Sequence, residues 1–318
     1  MKAIRVHEFG GPEVLKLEDV PDPTPDAGQV VVQIKAVGVN PVETYVRTGK
    51  YTSVPPLPYT PGTDAAGVVE SVGAGVAGIA PGDRVWVTGT LSGAYAQKAL
   101  CDRTQVHPLP EKLSFAQGAA VNVPAAAAWR ALFPRGRAQA AEWVLVHGAT
   151  GAVGVAAIQL ARAAGLTVIG TASDDRGKQF IREQGANHAA DHGDVEGIKK
   201  LSPDGKGVQL ILEMLANVNL ADDLAMLTPR GRVVVIGSRG KIEIDPRMVM
   251  TGEKEIRGMS VPNATPEERQ AMNAALQAAL EEGVLRPVVS KEMPLAEASK
   301  AHEEVIGSHA PGKIVLTP

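Results

Sequence analysis

Residues 143–171 constrain this chain more than any other stretch. A short apolar run, Trp143–Val146, leads into His147 and the turn Gly148-Ala149-Thr150-Gly151, with Gly154 three residues on. An alanine-rich segment follows and stops at Gly165, and a second apolar run covers Leu166–Thr171. Strand, glycine turn, helix and strand in that order make a βαβ unit that opens on a phosphate-binding turn. Gly151 lets the backbone approach a pyrophosphate where a side chain would block it, and Gly154 lets the helix pack close to the strand. The first N–H groups of the new helix are unpaired and point at the anion, with the helix dipole behind them. Ala149 stands where G-x-G-x-x-G has its first glycine. The strand–turn–helix–strand context, rather than the glycine triplet, separates this reading from a tight βα turn that binds nothing.

The chain has 318 residues, enough for about two domains. Only 3% of it is aromatic while 44% is hydrophobic, so the core is built mainly from Val, Ile, Leu and Ala. Net charge is −3, and Lys199-Lys200 is a single basic pair, so nucleic-acid binding has no electrostatic support. One cysteine, Cys101, rules out an intrachain disulfide and any multi-cysteine metal site, and it reads as a buried or incidental thiol. The start lacks the apolar stretch of a signal peptide, and no apolar run is long enough to span a membrane. A cytoplasmic enzyme is expected.

Residues 1–117 are rich in Pro, Gly and Val, with short alternating runs at Val30–Lys35 and Asp83–Val87 and turn signals between them. That pattern argues a small β-barrel. After Thr171 strands alternate with helices. Strands are expected at 189–191, 208–212, 232–236 and 255–259, and helices at 175–184, 194–200, 219–227 and 265–282. Such alternation implies a doubly wound parallel sheet. The last run, Lys313–Thr317, is expected to be a strand that returns to the first domain.

An ordered set of segments carries a family resemblance. They are Phe9–Leu15, Gly38–Tyr45, Pro58–Gly62, Val146–Gly148, Glu213–Leu220 and Gly237–Gly240. With the domain layout, they resemble the medium-chain dehydrogenase/reductase superfamily, and within it the zeta-crystallin-like quinone oxidoreductases. The resemblance implies an α/β fold: a Rossmann doubly wound parallel sheet over 118–284, plus a GroES-like β-barrel domain over 1–117 and 285–318. It further implies a homo-oligomer, dimer or tetramer, that binds NADPH and reduces quinones without a metal. Two other functions stay open: an enone or enoyl reductase on the same scaffold, and a cofactor-binding structural or regulatory protein with little turnover.

Zinc-dependent alcohol dehydrogenases of the superfamily place a ligand cysteine after a Val-Gly dipeptide and a second ligand in a Gly-His-Glu motif. Here Gly38-Val39 is followed by Asn40, and the second stretch reads Gly62-Thr63-Asp64. Catalytic zinc needs three Cys, His or carboxylate ligands, and no metal is expected. The seven histidines, His7, His107, His147, His188, His192, His302 and His309, show no ligand spacing and read mostly as surface or loop residues. By resemblance Asn40, Tyr45 and Tyr51 belong to the substrate pocket, where an amide or phenol donates to a quinone oxygen. The alternatives are a turn residue before Pro41 for Asn40 and packing for Tyr45. Tyr51 also touches the cofactor in the family pattern.

NAD-specific domains carry an acid at the end of the second strand. Ala172 and Ser173 stand there, which favours NADPH; Ser173, Arg176 and Lys178 are candidates for its 2′-phosphate. Asp174 and Asp175 read as a helix N-cap and first turn. The resemblance assigns the remaining cofactor contacts: Thr150, Gly151, Ala152 and Val153 at the pyrophosphate, His192 near the adenosine phosphate, and Asn219 after the fourth strand. It places Ile236, Gly237, Ser238 and Arg239 at the fifth strand's end and Met259, Ser260 and Val261 at the sixth's. Asn219 could instead be a helix cap and Arg239 a loop charge.

Overall fold

Valine-rich alternation builds the first part of the chain. The computed structural model describes residues 1–307 and 310–318, so His309 lies outside the described residues. These divide into two units, Met1–Val123 with Pro287–Pro318, and Pro124–Arg286. The first unit begins with β1 (Lys2–Arg5), β2 (Lys16–Asp19), β3 (Gln29–Gly38), α1 (Pro41–Arg47), β4 (Asp64–Val72) and β5 (Arg84–Thr88). It continues with β6 (Lys98–Asp102), β7 (Val106–Pro108) and α2 (Phe115–Gly118). On β3, Val30, Val32 and Ile34 face one core with Val85, Val87 and Cys101, while Gln33 and Lys35 face outward, the two-residue period of a strand. Cys101 is fully buried, and burial pushes its thiol up to about 12, which leaves it unreactive.

The chain passes through α3 (Asn122–Arg130) into the second unit. There follow β8 (Trp143–Val146), α4 (Ala152–Ala163), β9 (Thr167–Ala172), α5 (Asp175–Glu183), β10 (His188–Asp191) and α6 (Val195–Leu201). Next come β11 (Val208–Glu213), α7 (Ala216–Met226), β12 (Leu227–Val235), α8 (Pro246–Gly252), β13 (Glu255–Gly258) and α9 (Pro266–Glu282). The six strands form one parallel sheet in the order β10-β9-β8-β11-β12-β13. This is the doubly wound order, and its direction reverses between β8 and β11. Residues 144–146, 168–172 and 210–213 are buried without interruption, as strands covered on both faces must be. Several expected boundaries shift, most by one residue, and the strand expected from 232 starts at Leu227. The helix expected from 219 starts at Ala216, the fifth strand ends at Val235 rather than 236, and the sixth ends at Gly258 rather than 259. The short helix α8 had no sequence counterpart.

The chain then returns to the first unit as β14 (Val289–Pro294), α10 (Ala298–Gly307) and β15 (Lys313–Thr317). β15 pairs antiparallel with β3 and parallel with β14. This completes a seven-stranded sheet, β14-β15-β3-β4-β5-β7, with β6 also on β3.

Two glycines of the βαβ turn have separate jobs. A Cβ at Gly154 would stand 2.5 Å from Ala149 Cα and 2.6 Å from Gly148 O, so α4 starts against the turn only because residue 154 has no side chain. At Gly151 a Cβ would meet only Gly148 O, at 3.4 Å, and φ is −73°, which any residue adopts. The left-handed residue of the turn is Gly148, at φ +55°. Gly154→Ala should therefore lose about 2–3 kcal/mol of stability, and Gly151→Ala far less than that. Urea unfolding of the two variants checks this; equal losses would refute the division of labour.

Candidate functional site

The reversal between β8 and β11 leaves a crevice at the carboxyl ends of the parallel strands, where open α/β sheets bind ligands. Gly151 is the N-cap of α4 and supplies no side chain to its first turn. The N–H groups of the first turn are thus left for an outside acceptor. Thr150, Gly151, Ala152 and Val153 are all partly exposed. The other strand ends gather here as well. Ile236 N donates to Glu213 O and Met259 N to Val235 O. A Cβ at Gly237 would stand 2.4 Å from Met214 O, so the turn after β12 also needs glycine. Ser238 and Arg239 are exposed, and Arg239 N donates to Asn217 Oδ1 at 2.7 Å. Ser260 O accepts from the Arg130 guanidinium, which also pairs with Glu268 at 2.7 Å.

At the end of β9, Ala172 is buried and Ser173 exposed. Asp174 is the N-cap of α5, accepting from Gly177 N at 2.7 Å, and Asp175 is its first residue. Lys178 is held by Asp175 at 2.9 Å and Asp191 at 3.0 Å, so its charge is largely spent within the protein. Arg176 is exposed and forms no ion pair among the described residues. His192 is exposed at the end of β10.

Directly beneath the crevice sits a cluster that sequence reasoning passed over. Glu213 ends β11, His147 follows β8, and Asp223 lies on α7; all three are buried. His147 Nε2 is 2.8 Å from Asp223 Oδ1 and 3.5 Å from Glu213 Oε2. Asn219 Nδ2 lies 3.2 Å from both Glu213 oxygens, and Leu215 N donates to Oε1. Asn219 is therefore inside α7 and tied to β11; it is not a helix cap. Burial, and then neighbouring acids, pushes Glu213 to about 7; burial foremost raises Asp223 to about 7. Burial holds His147 below the usual imidazole range against the pull of the acids. An ion between His147 and Asp223 would need its ligands roughly 3.3 Å apart, from bonds of about 2 Å at a tetrahedral angle. The observed 2.8 Å is a hydrogen bond. A signal was present in the sequence: an acid closing the apolar run Val208–Leu212.

The first unit buries a second network. Asn40 caps α1 and is 2% exposed. Its Oδ1 accepts from the Lys313 ammonium, and its Nδ2 donates to Asp64 Oδ2 at 3.0 Å and reaches Glu43 Oε1 at 3.4 Å. Lys313 also pairs with Asp64 at 3.0 Å. Both ends of the Asn40 amide are thus engaged inside the protein. The zinc-ligand positions accordingly carry an amide and a carboxylate that already share a lysine ammonium, and these residues do not fit a zinc ion. Glu43, pushed to about 7 chiefly by burial, accepts from Asn40 N at 2.9 Å and Tyr95 OH at 2.7 Å. His302 Nε2 lies 3.1 Å from that hydroxyl and its Nδ1 3.4 Å from Arg47. Burial, aided by Arg47, holds His302 down at about 3, so it is neutral. His147 and His302 are thus core groups, against the surface reading. Tyr45 and Tyr51 are half-buried, and neither hydroxyl meets a partner among the described residues. No helix among those residues is long and apolar enough to cross a membrane.

Comparison with known proteins agrees with both units. Residues 26–111 match the alcohol dehydrogenase GroES-like domain and residues 152–279 the zinc-binding dehydrogenase family. The chain is 51% identical to quinone oxidoreductase of Rattus norvegicus over 320 residues, covering 99% of this chain and 97% of that one. It is 49% identical to the Homo sapiens quinone oxidoreductase with the same coverage. The crystal structure of Escherichia coli quinone oxidoreductase complexed with NADPH superposes with a TM-score of 0.89 at 29% identity, covering 100% of both chains. With half its residues shared over nearly its whole length, the chain belongs to the zeta-crystallin-like quinone oxidoreductases of the medium-chain dehydrogenase/reductase superfamily.

Proposed function

We infer that this protein is an NADPH-dependent quinone oxidoreductase that works without a metal. The observation that carries the reading is the whole-length match to quinone oxidoreductases. The open glycine turn at the head of α4 supports it, because it leaves backbone N–H groups for a pyrophosphate. NADPH supplies the hydride when bound. In this reading Thr150–Val153 hold the pyrophosphate, and Ser173 with Arg176 takes the 2′-phosphate; no acid at the end of β9 opposes it. His192 lies by the adenosine phosphate. Asn219, Ile236–Arg239 and the Met259–Val261 backbone flank the nicotinamide. Tyr45 and Tyr51 offer phenol hydroxyls to the acceptor, and Tyr51 also touches the cofactor. Asn40 serves the pocket by fixing α1, the helix that carries Tyr45.

The protein is also proposed to be a homo-oligomer. β13 is an edge strand of the parallel sheet, and Ile256 at its middle is 40% exposed. An edge strand with unpaired N–H and C=O groups can pair with another copy.

Three measurements test these readings. Turnover of NADPH with a panel of quinones, enones and enoyl thioesters, before and after a chelator, should show quinones reduced fastest and no loss on chelation. Tight NADPH binding with no turnover would instead mark a binding protein. Arg176→Ala should weaken NADPH by about ten- to a hundredfold, a charged hydrogen bond of about 1.5–3 kcal/mol, and leave NADH nearly unchanged; equal effects on both cofactors would remove Arg176 from the phosphate. Sedimentation should give a dimer or tetramer, and a monomer at micromolar concentration would end the oligomer proposal.

A further inference from the structure

The buried acids under the crevice hold more negative charge than the groups around them neutralise. Glu213 and Asp223 lie against each other with His147, one oxygen or nitrogen of each lying within 4.8 Å of the others. His147 is the only ion-pair partner of either acid among the described residues. Asp222 adds a further negative charge from α7. Of the cations on adjoining elements, Lys254 donates to Leu224 O on α7, and Arg232 of β12 pairs with Glu142 at 2.6 Å.

The hydrogen bonds show where one proton sits. His147 Nδ1 is buried and meets no acceptor, so the ring proton is on Nε2 and points at Asp223 Oδ1. The Glu213 carboxylate accepts from Leu215 N and Asn219, as an anion does. Asp223 Oδ2 is buried and meets no donor. A proton held between Asp223 and Glu213, whose carboxyls are in hydrogen-bonding contact, satisfies that oxygen.

We propose that Glu213 and Asp223 share a single proton, and that this clasp, steadied by His147, positions the β11–α7 turn for the dinucleotide. Neither acid touches the ligand. Glu213 holds Leu215 and Asn219, and the same strand end carries Met214, against which Gly148 and Gly237 pack. Loss of the proton puts two carboxylates in contact beneath an anion-binding turn. It loosens the hold on Asn219 and adds negative charge below the pyrophosphate. The inference rests on the proposed NADPH site for its effect on binding, but not for the clasp itself.

Both acids are raised to about 7 in the folded chain. The two acids titrate as a pair, so it is the one shared proton whose stabilising contribution is complete below the ordinary carboxylate range and is lost as pH rises through about 7. Asp223→Asn is the informative variant. Its Oδ1 still accepts from His147, and its Nδ2 makes permanently the bond that the shared proton makes.

Two readouts are compared between wild type and variant: NADPH affinity by fluorescence from pH 6.5 to 8.5, and melting temperature of the cofactor-free protein from pH 5 to 8. Wild-type affinity should fall about tenfold across that range, the linkage of one proton, while Asp223→Asn stays flat once the shared titration of the ligand phosphate is divided out. The wild-type melting temperature should fall relative to the variant over pH 5–7. Glu213→Gln, the second variant, should also lose the pH dependence while binding more weakly throughout. Variants that keep the wild-type slope in both readouts would overturn the clasp. No NADPH binding by wild type at any pH would instead refute the functional reading, and the melting curves would still decide the clasp.

Discussion

Helix α4 begins so close to the end of β8 that residue 154 has no room for a Cβ. That contact governs what surrounds it. It sets the helix N-terminus at the mouth of the sheet, where no side chain of the protein caps it. It also brings the ends of β8 and β11 under the same turn, away from water. Polar groups there must satisfy one another. Glu213 and Asp223 do so with the His147 Nε2 proton and the proton proposed to be shared between them, while His147 Nδ1 meets no partner among the described residues. The turn at the head of α4 and the acid cluster at the ends of β8 and β11 thus lie on neighbouring strand ends of one sheet, and in the proposed reading the charge of the cluster is felt by an anion bound at the turn.

The first unit meets a similar problem with different groups. Helix α1 is only two turns long and gains little from its own hydrogen bonds. It is fixed at both ends instead. Asn40 and Glu43 form a capping box at its start, reinforced by Lys313 from the last strand. Arg47 at its end reaches His302 on α10. Between them the donors run in one direction, from Arg47 to the neutral His302, then to Tyr95, and from Tyr95 to Glu43. Each acceptor along this path is filled, with Arg47 Nε left buried without a partner among the described residues, and α1, which carries Tyr45, is held at both ends.

The sheet of the second unit was legible because its signals are local. Buried parallel strands read as apolar runs, Gly165, Gly185 and Gly283 ended helices, and Asp174 sat where an N-cap belongs. What escaped was whatever depended on distant partners. Nothing within the Gly38–Tyr45 segment says that Lys313 will take the Asn40 oxygen, so its amide read as free to donate. Lys178 looked available for a phosphate until β10 brought Asp191 beside it. Histidines without ligand spacing read as surface groups, yet His147 and His302 are core residues because their partners come from other elements. Asn219 was placed near the cofactor by resemblance, but its bond to Glu213 is a tertiary contact that no spacing encodes.

The residues at the zinc-ligand positions bear on which acceptors suit the site. A simple ketone gains a full negative charge on one oxygen when it takes a hydride, and that charge needs a Lewis acid or a strong donor. Asn40 and Asp64 cannot assemble a metal for that purpose, and Lys313 is occupied in holding them. Two phenols remain. A phenol is a modest donor, sufficient where the acceptor disperses the incoming charge itself. A quinone does this through conjugation to its second carbonyl, and the product is an aromatic hydroquinone. The weakness of the donors is thus matched to the strength of the electrophile, and an unconjugated ketone offered to the same two hydroxyls leaves its alkoxide without adequate support.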